Sequence, residues 1–280
     1  MAYKISKEEM EKELSMGKTV LQIGREYNIS HSMIDYIAHK YGLKSNFAKH
    51  IEERRKDNRF ENITSKELAY IVGFLLGDGY MVKGNTDYVE VTQCVADKDV
   101  IEWMGNFLGT KPTYKQGFSK QSKGTPVFSL NTKINYISKY LGNGLKVERT
   151  FPKIDEEFEP YLLRGLFDAD GHIVGGIRHD RNQFFCSLGF SHHKKCLDGV
   201  SELLYNRLDI KVNVIQRKFP RTDYKIQVGS FKNSFRIMDY MYSDTEFMPF
   251  HRKYNKYLSI LEIRNEFCNN SERLKDVSSI

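Results

Sequence analysis

The sequence contains one short pattern twice, and this repeat limits the folds that are open to the chain. The first copy is IVGFLLGDG at residues 71–79 and the second is LRGLFDADG at residues 163–171. Each copy is an apolar run with two small residues four positions apart, and each ends in Asp-Gly. Asp170, the acid of the second copy, lies 92 positions after Asp78, the acid of the first copy. The spacing predicts two related halves of the chain, each centred on one copy.

The small residues of the two copies predict how the halves meet. Residues four apart share one face of a helix, so Gly73 with Gly77, and Gly165 with Ala169, each form a face on which no side chain projects. Two such faces allow close packing, and we expect the two helices to join the halves there. The glycine that follows each Asp is predicted to adopt the left-handed conformation just past a helix end.

The acids of the two copies stand where a helix tolerates them poorly. A helix C-terminus already carries partial negative charge, and parallel packing would bring Asp78 close to Asp170. A single Asp before Gly is ordinarily a turn-forming residue, but two at matching positions indicate a site. Two carboxylates at two negative helix ends need a cation between them, and oxygen ligands favour Mg²⁺. Such a centre is typical of phosphodiester hydrolysis.

The rest of the chain predicts an α+β fold of two similar halves. After each motif helix the order strand, strand, helix, strand, strand, helix recurs, which gives a pseudo-twofold pair of αββαββα halves. We expect a small all-helical domain at residues 1–47, a basic linker at 48–64, repeats at 65–152 and 153–268, and a tail at 269–280.

The first 47 residues predict a helix-turn-helix module. Leu21 and Met33 are expected to point inward, and Ser30 is expected to cap the third helix. That helix would present Ser30, His31 and Ser32 to a DNA major groove. A small helical bundle without a DNA role remains the alternative.

Composition narrows the class of partner. The net charge of +7 and the sequence pI of about 9.0 favour polyanions such as nucleic acid. The four cysteines show no Cys-x-x-Cys spacing, so neither zinc nor a disulfide framework is indicated. The longest apolar run is too short to span a bilayer. We expect an intracellular, cytoplasmic monomer, of bacterial, phage or organellar origin, that does not contact a membrane.

The two copies resemble the LAGLIDADG motifs of homing endonucleases, in the single-chain form with two motifs, over roughly residues 65–268. The resemblance implies parallel motif helices, two saddle-shaped antiparallel sheets that straddle the DNA major groove, and a double-strand break with short 3′ overhangs in a long site. It also implies that Asp78 and Asp170, with the backbone at Gly77 and Ala169, bind Mg²⁺, for which Mn²⁺ can substitute. Each active site would then use a water nucleophile. Asp168, which has no acidic counterpart in the first copy, is expected to support packing or a local hydrogen bond.

The resemblance extends to a polar residue on the strand after each motif. VEVTQ resembles the family strand whose Gln reaches the active site, which points to Gln93. The corresponding strand of the second half reads LGFSHH, and either Ser191 or His192 would occupy that position. The two active sites are therefore expected to differ, and one DNA strand to be cut more slowly.

The resemblance also implies a basic residue that orders the attacking water and stabilises the phosphate. FHRKYNKY offers Lys253, with Arg252 nearby. GLKVERTFP offers Lys146, with Arg149 as the competitor. A plain surface lysine is the alternative for both lysines.

DNA contacts are expected from the sheet faces and their turns, where basic residues cluster. Polar side chains in the same segments, Gln116, Asn182 and Gln216, would meet base edges. The basic residues assigned to DNA are Lys83, Lys115, Lys120, Lys123, Arg178, Arg181, Arg217, Lys218 and Arg221.

The sequence leaves two other functions open. A DNA-binding regulator could keep this fold without cleavage, although both metal-binding acids are present. An intron RNA maturase could use the same fold for RNA. An intein is a poor reading, because the chain begins Met1-Ala2 and ends Ser279-Ile280.

Overall fold

The protein consists of two compact units, each with its own hydrophobic core. The computed structural model describes residues 5–43, 58–82, 88–116, 126–142, 144–217 and 223–277. The first unit is Met1–Asn58 and the second is Arg59–Ile280.

Residues 5–43 of the first unit form three short helices that begin at capping side chains. The hydroxyls of Ser6 and Thr19 each accept a bond from the backbone three residues on, in full capping boxes, and Ser30 caps the third helix. Asn28, in the left-handed conformation, ends the second helix and turns the chain into the third. The helices are α1 (Lys7–Ser15), α2 (Val20–Tyr27) and α3 (His31–Lys40).

Two apolar residues of the first unit face outward, contrary to prediction. Leu21 is 49% exposed and Met33 is 46% exposed, whereas Ile23 and Ile34 are fully buried. The caps set where each helix begins, and the resulting phase directs Leu21 and Met33 away from the core. Gly24 lies against the turn, since a Cβ atom there would be 2.6 Å from the carbonyl oxygen of Ile29.

The second unit has the predicted α+β architecture of two matching halves. Its sheets are antiparallel, with strand orders β1-β2-β4-β3 and β5-β6-β8-β7, so the second sheet repeats the topology of the first. The strands are β1 (Tyr80–Val82), β2 (Tyr88–Cys94), β3 (Thr113–Gln116), β4 (Pro126–Lys133), β5 (Gly171–Arg178), β6 (Gln183–His192), β7 (Val214–Gln216) and β8 (Tyr224–Val228).

The helices of the second unit follow the predicted order, and the last one continues to residue 277, into the segment that was expected to form a tail. They are α4 (Lys66–Asp78), α5 (Lys98–Leu108), α6 (Ser138–Leu141), α7 (Glu159–Asp170), α8 (Lys194–Leu208), α9 (Phe231–Met241) and α10 (Arg252–Val277). Short 3₁₀ turns lie at Arg59–Glu61, Val95–Asp97, Lys146–Glu148 and Glu156–Phe158.

The motif helices α4 and α7 pack against each other through their small residues, as predicted. A Cβ atom at Gly73 would lie 2.1 Å from the Leu162 carbonyl oxygen, and one at Gly165 would lie 2.2 Å from that of Tyr70. Further along both helices, a Cβ atom at Gly77 would lie 2.5 Å from the Cβ atom of Ala169. Contacts that advance together along both helices show that the helices run parallel.

The glycines after the motif acids are not left-handed, and that prediction is wrong. Gly79 has φ −70° and Gly171 has φ −85°, both in extended backbone, because the chain passes directly from each helix into a strand. Glycine is still required there for space. A Cβ atom at Gly79 would lie 2.5 Å from the Leu75 carbonyl oxygen, and one at Gly171 would lie 2.2 Å from the Phe167 ring.

The register of the second sheet separates a core face from an open face. Ile173, Leu188 and Ile226 are buried beneath the sheet. Alternate residues, paired across the strands, lie on the opposite face; among them are His172, Val174, Arg178, Ser187, Ser191, Lys225 and Gln227. Gln216, predicted to meet DNA bases, pairs with Tyr224 and shares the face of Val214 and Ile226 instead.

Within the residues that the structure describes, no helix is long and apolar enough to cross a membrane.

Candidate active site

The two motif acids lie side by side at the ends of α4 and α7. A Cβ atom at Gly77 would lie 3.2 Å from Oδ2 of Asp170, so the Asp170 carboxylate lies against the last turn of α4. Burial, and then the charge of Asp170, raise the pKa of Asp78. Burial also raises the pKa of Asp170, against the opposing charges of Lys146 and Lys253. The structure therefore brings the two carboxylates together in a setting that penalises their negative charge.

Gln93 reaches the first acid directly. Its Nε2 donates to Oδ2 of Asp78 at 2.5 Å. The sheet register identifies the equivalent residue of the second half. Tyr80 pairs with Glu90 and the equivalent His172 pairs with Gly189, and three residues further along their strands lie Gln93 and His192.

His192 is thus the counterpart of Gln93, but it contacts the other half. Its Nε2 lies 2.9 Å from the Leu76 carbonyl oxygen at the end of α4. Burial lowers the pKa of His192 to about 4, so the ring is neutral and its Nε2–H donates to that carbonyl. Ser191, the other candidate, faces the open side of the sheet and its Oγ accepts a bond from Arg217.

Lys253 and Lys146 both bind helix-end carbonyls beside the acids. Nζ of Lys253 donates to the carbonyls of Phe167 at 2.5 Å, Gly171 at 2.6 Å and Ala169 at 3.3 Å. The Lys253 side chain is buried, and burial lowers its pKa to about 8. Nζ of Lys146 donates to the Gly77 carbonyl, although this residue is exposed overall, unlike Lys253.

Arg149 holds the end of α4 in the way that Lys253 holds the end of α7. Its Nη1 donates to the carbonyls of Leu75 at 3.1 Å and Leu76 at 2.6 Å, and its Nη2 donates to that of Gly79 at 2.8 Å. The residue is 1% exposed, and burial lowers the pKa of its guanidinium. Leu75 and Gly79 occupy the same motif positions as the Lys253 partners Phe167 and Gly171.

Arg149 was identified in the sequence only as a competitor of Lys146, and the structure shows that both residues contact α4. Nothing in the local sequence distinguishes Arg149 from a surface arginine. Arg252, the neighbour of Lys253, instead pairs with Asp97 at 3.0 Å and is largely exposed.

Asp168 makes the local hydrogen bonds that the sequence predicted. Its Oδ2 accepts from the Tyr70 hydroxyl at 2.9 Å and its Oδ1 from the Tyr242 hydroxyl at 2.7 Å. Arg164 lies 3.9 Å away, and burial raises the pKa of Asp168 to about 6. Because Tyr70 belongs to α4, this acid links the two motif helices.

The oxygen atoms of the site fit a hard divalent ion. Among the described residues, no group of three or more His, Cys, Asp or Glu side chains could hold a metal. Two adjacent carboxylates and the carbonyls of the same helix ends are present instead. Mg²⁺ typically takes one or two carboxylates and completes its shell with water and substrate phosphate. The donor set matches that preference.

The predicted DNA-binding residues of the second unit are only partly within the described chain. Arg178 ends β5, with its guanidinium 5.0 Å from the centroid of the Phe185 ring. Arg217 pairs with Asp223 at 3.2 Å, and Arg181 lies in the exposed turn before β6. Lys115 lies in β3. Lys83, Lys120, Lys123, Lys218 and Arg221 lie outside the described residues.

The predicted DNA-binding residues of the first unit lie at the start of α3. The Ser30 hydroxyl accepts a bond from the Met33 backbone N–H, so it serves as the helix cap. His31 and Ser32 follow in the first turn and are exposed.

Comparison with known proteins agrees with this fold. The family model for a LAGLIDADG-like domain matches residues 157–237, within the second half. No curated protein matches the sequence.

The solved structures that are similar in fold to this chain include two of I-SmaMI. I-SmaMI bound to an uncleaved DNA target in the presence of calcium ions is 13% identical, with a TM-score of 0.50, over 77% of this chain and 97% of that one. The meganuclease I-SmaMI bound to uncleaveable DNA with a TTGT central four is 14% identical, with a TM-score of 0.51, over 75% of this chain and 96% of that one. The second unit therefore has the LAGLIDADG meganuclease fold.

Proposed function

We propose that this chain is a site-specific DNA endonuclease of the homing type, which makes a metal-dependent double-strand break in a long recognition site. The pair of buried carboxylates at the ends of α4 and α7 carries the proposal. Their proximity costs free energy that a divalent cation would offset. The similar fold of a meganuclease bound to DNA, in one case with calcium ions, supports the same activity.

The residues around the acids have complementary roles in this proposal. Asp78 with the Gly77 carbonyl, and Asp170 with the Ala169 carbonyl, would hold Mg²⁺ ions at two metal positions, one for each DNA strand, and Mn²⁺ can replace them. When bound, the metal polarises the phosphate and lowers the pKa of a coordinated water. Gln93 fixes the orientation of the Asp78 carboxylate through its Oδ2 atom.

The lysines supply positive charge next to the acids. Lys146 and Lys253 lower the pKa of both motif acids, which places their charge within reach of either carboxylate. In the proposed reaction their ammonium groups order the attacking water and stabilise the phosphate charge. Shortening a single lysine should therefore slow hydrolysis and weaken binding to DNA much less.

The partner is double-stranded DNA, bound by a monomer. Arg178 and Lys225, on the open face of the second sheet, suit phosphates, and His172 and Gln227 suit base edges. His172 Nε2 and Gln227 Oε1 are 3.3 Å apart, which orients both side chains before DNA arrives.

The first unit adds DNA contacts through α3 in this proposal. Besides His31 and Ser32, the exposed Met33 and Tyr36 give the helix a mixed polar and apolar face. Apolar groups on a recognition helix can meet thymine methyl groups.

Cleavage of a randomised duplex library with Mg²⁺, followed by sequencing of the cut ends, tests the function. We expect one family of related sites with short 3′ overhangs. Asp78→Asn and Asp170→Asn should each abolish double-strand cleavage and leave binding intact. Asp244→Asn is the matched control and should cut normally, because Asp244 pairs at 2.8 Å with Lys66 at the start of α4, opposite the end that carries Asp78.

A non-cleaving DNA-binding regulator is the second candidate, favoured by the separate helical unit with its exposed α3. Tight, site-specific binding without cleavage in either Mg²⁺ or Mn²⁺ would select this function and refute the endonuclease.

A further inference from the structure

The two motif-helix ends are held by unequal sets of side chains. The end of α4 receives two cationic groups, Lys146 at the Gly77 carbonyl and Arg149 at the carbonyls of Leu75, Leu76 and Gly79. At the end of α7, Lys253 alone contacts the equivalent positions among the hydrogen bonds of the described residues. Cationic side chains offset the partial negative charge of both helix ends, but the end of α4 accepts more hydrogen bonds from them than the end of α7 does.

The register-equivalent side chains of the two sheets add to this inequality. Gln93 donates to the Asp78 carboxylate itself. His192, at the same position of the second half, crosses to α4 and donates to the Leu76 carbonyl at 2.9 Å. Both side chains therefore support the end of α4, and neither Gln93 nor His192 supports Asp170.

The Leu76 carbonyl is where two of these contacts converge. Arg149 Nη1 approaches it at 2.6 Å, and His192 Nε2 approaches it from the second sheet. Arg149 and His192 are both almost completely buried, so neither has solvent as a competing partner. Leu76 lies two residues before Asp78, and fixing its peptide fixes the last turn from which that carboxylate projects.

We propose that Arg149 and His192 are positioning residues for the Asp78 carboxylate, acting through the Leu76 carbonyl, and that they make the two metal positions unequal. Asp78 is set for the ion before DNA binds, whereas Asp170 is organised on the DNA. The DNA strand that is cleaved at the Asp78 metal position is consequently cut first. This inference rests on the proposed endonuclease function.

Metal binding without DNA provides the first test. Mn²⁺ is titrated into the full-length protein and free Mn²⁺ is followed by electron paramagnetic resonance. We expect one tighter class of site that Asp78→Asn removes and Asp170→Asn retains. Arg149→Met should weaken that class about tenfold, and Arg149→Lys, which restores the type of cation found at position 253, should recover most of the loss.

Arg207→Met is the matched control for the arginine substitutions. Arg207 bonds to Glu159 at the opposite end of α7, with Nε 2.6 Å from the carboxylate, so its loss disturbs a motif helix but not the acids. Its Mn²⁺ affinity should equal that of the wild type. Absence of a tighter class, or equal weakening by Arg149→Met and Arg207→Met, would overturn the inference.

Strand-resolved cleavage is the second test and separates this inference from the proposed function. A duplex carrying the selected site, with a different dye on each strand, is cut in a single turnover with Mg²⁺. The wild type should cut one strand several-fold faster, and His192→Gln, which introduces the residue of the equivalent position 93, should bring the ratio towards one. Should Arg149→Met fail to fold, His192→Gln and Arg149→Lys still decide the matter.

The outcomes of the strand-resolved test differ for the two proposals. Equal rates in the wild type, or an unchanged ratio in His192→Gln, would overturn the inference while the endonuclease stands. No cleavage of any duplex refutes the endonuclease, and the Mn²⁺ titration then still decides whether the two metal positions differ.

Discussion

Replacing Gly73 by alanine should destabilise the second unit strongly, because α4 and α7 have no room for a methyl group between them. The new Cβ atom would lie 2.1 Å from the Leu162 carbonyl oxygen, where an ordinary contact begins at 3.4 Å. The helices would have to separate by about 1 Å, a gap that forfeits a large share of the dispersion energy along their contact.

The magnitude of this effect follows from two opposing contributions. Overpacking of a core costs about 1–3 kcal/mol, and more where the obstacle is backbone that cannot rotate away. Alanine recovers about 1 kcal/mol through its higher helix propensity. The obstacle at Gly73 is backbone, so the cost lies above that range, at about 4 kcal/mol. The net loss is then about 3 kcal/mol, which lowers the urea midpoint by about 1 M for a unit of this size.

Tryptophan fluorescence provides the assay, since Trp103 is the single tryptophan of the chain and lies in the second unit. Its ring packs edge-on against Tyr70 of α4 at 5.5 Å, next to the contact that Gly73→Ala disturbs. Gly229→Ala is the control, because a Cβ atom at Gly229 meets nothing within 4 Å. The control should stay within about 0.5 kcal/mol of the wild type. Equal urea midpoints for the two variants would refute the close approach of the helices.

Three further perturbations test other parts of the structure. Burial of His192 lowers its pKa from 6.5 to about 4, so the unfolded chain takes up a proton before the folded protein does as the pH falls. Compared with His192→Gln, the wild type should therefore lose about 2 kcal/mol of unfolding free energy between pH 7 and pH 5, measured by urea titration. Tyr242→Phe leaves Oδ1 of buried Asp168 without that donor and should cost about 2 kcal/mol in the same titration. Gly24→Ala places a methyl group 2.6 Å from the Ile29 carbonyl and should speed amide hydrogen exchange in the first unit, with the tryptophan transition unchanged.

Features that depend on short stretches of chain were predictable from the sequence. Each motif helix and its small face are encoded within nine residues, so the pairing of Gly73 and Gly165 with the opposite backbone followed directly. The inner acid Asp168 was also assigned correctly to hydrogen bonding, but its partners Tyr70 and Tyr242 lie 98 and 74 positions away and were not predicted. The conformation of the glycine at position 79 was not predictable, because it depends on where the next strand begins.

Features that depend on distant segments were not predictable. Arg149 meets carbonyls 70 to 74 positions earlier in the chain, and only the folded path of the first half brings them together. The choice between Ser191 and His192 required the pairing of β5 with β6, since a shift of one residue exchanges the two faces of a strand. The outward direction of Leu21 was missed for a different, local reason, because it depends on the residue at which α2 begins.

Arg149 and Lys253, the cations that bind the ends of the motif helices, lie in different halves of the chain, which affects how the protein could be split into two polypeptides. Arg149 follows α4 within the first half, and Lys253 follows α7 within the second, so each half carries the cation that neutralises its own motif helix. Two polypeptides separated near Ile154 would each contain the cation that binds their own helix end. Their reassembly would then depend on the small-residue faces and on hydrogen bonds between the halves, among them those from Tyr70 to Asp168 and from His192 to the Leu76 carbonyl.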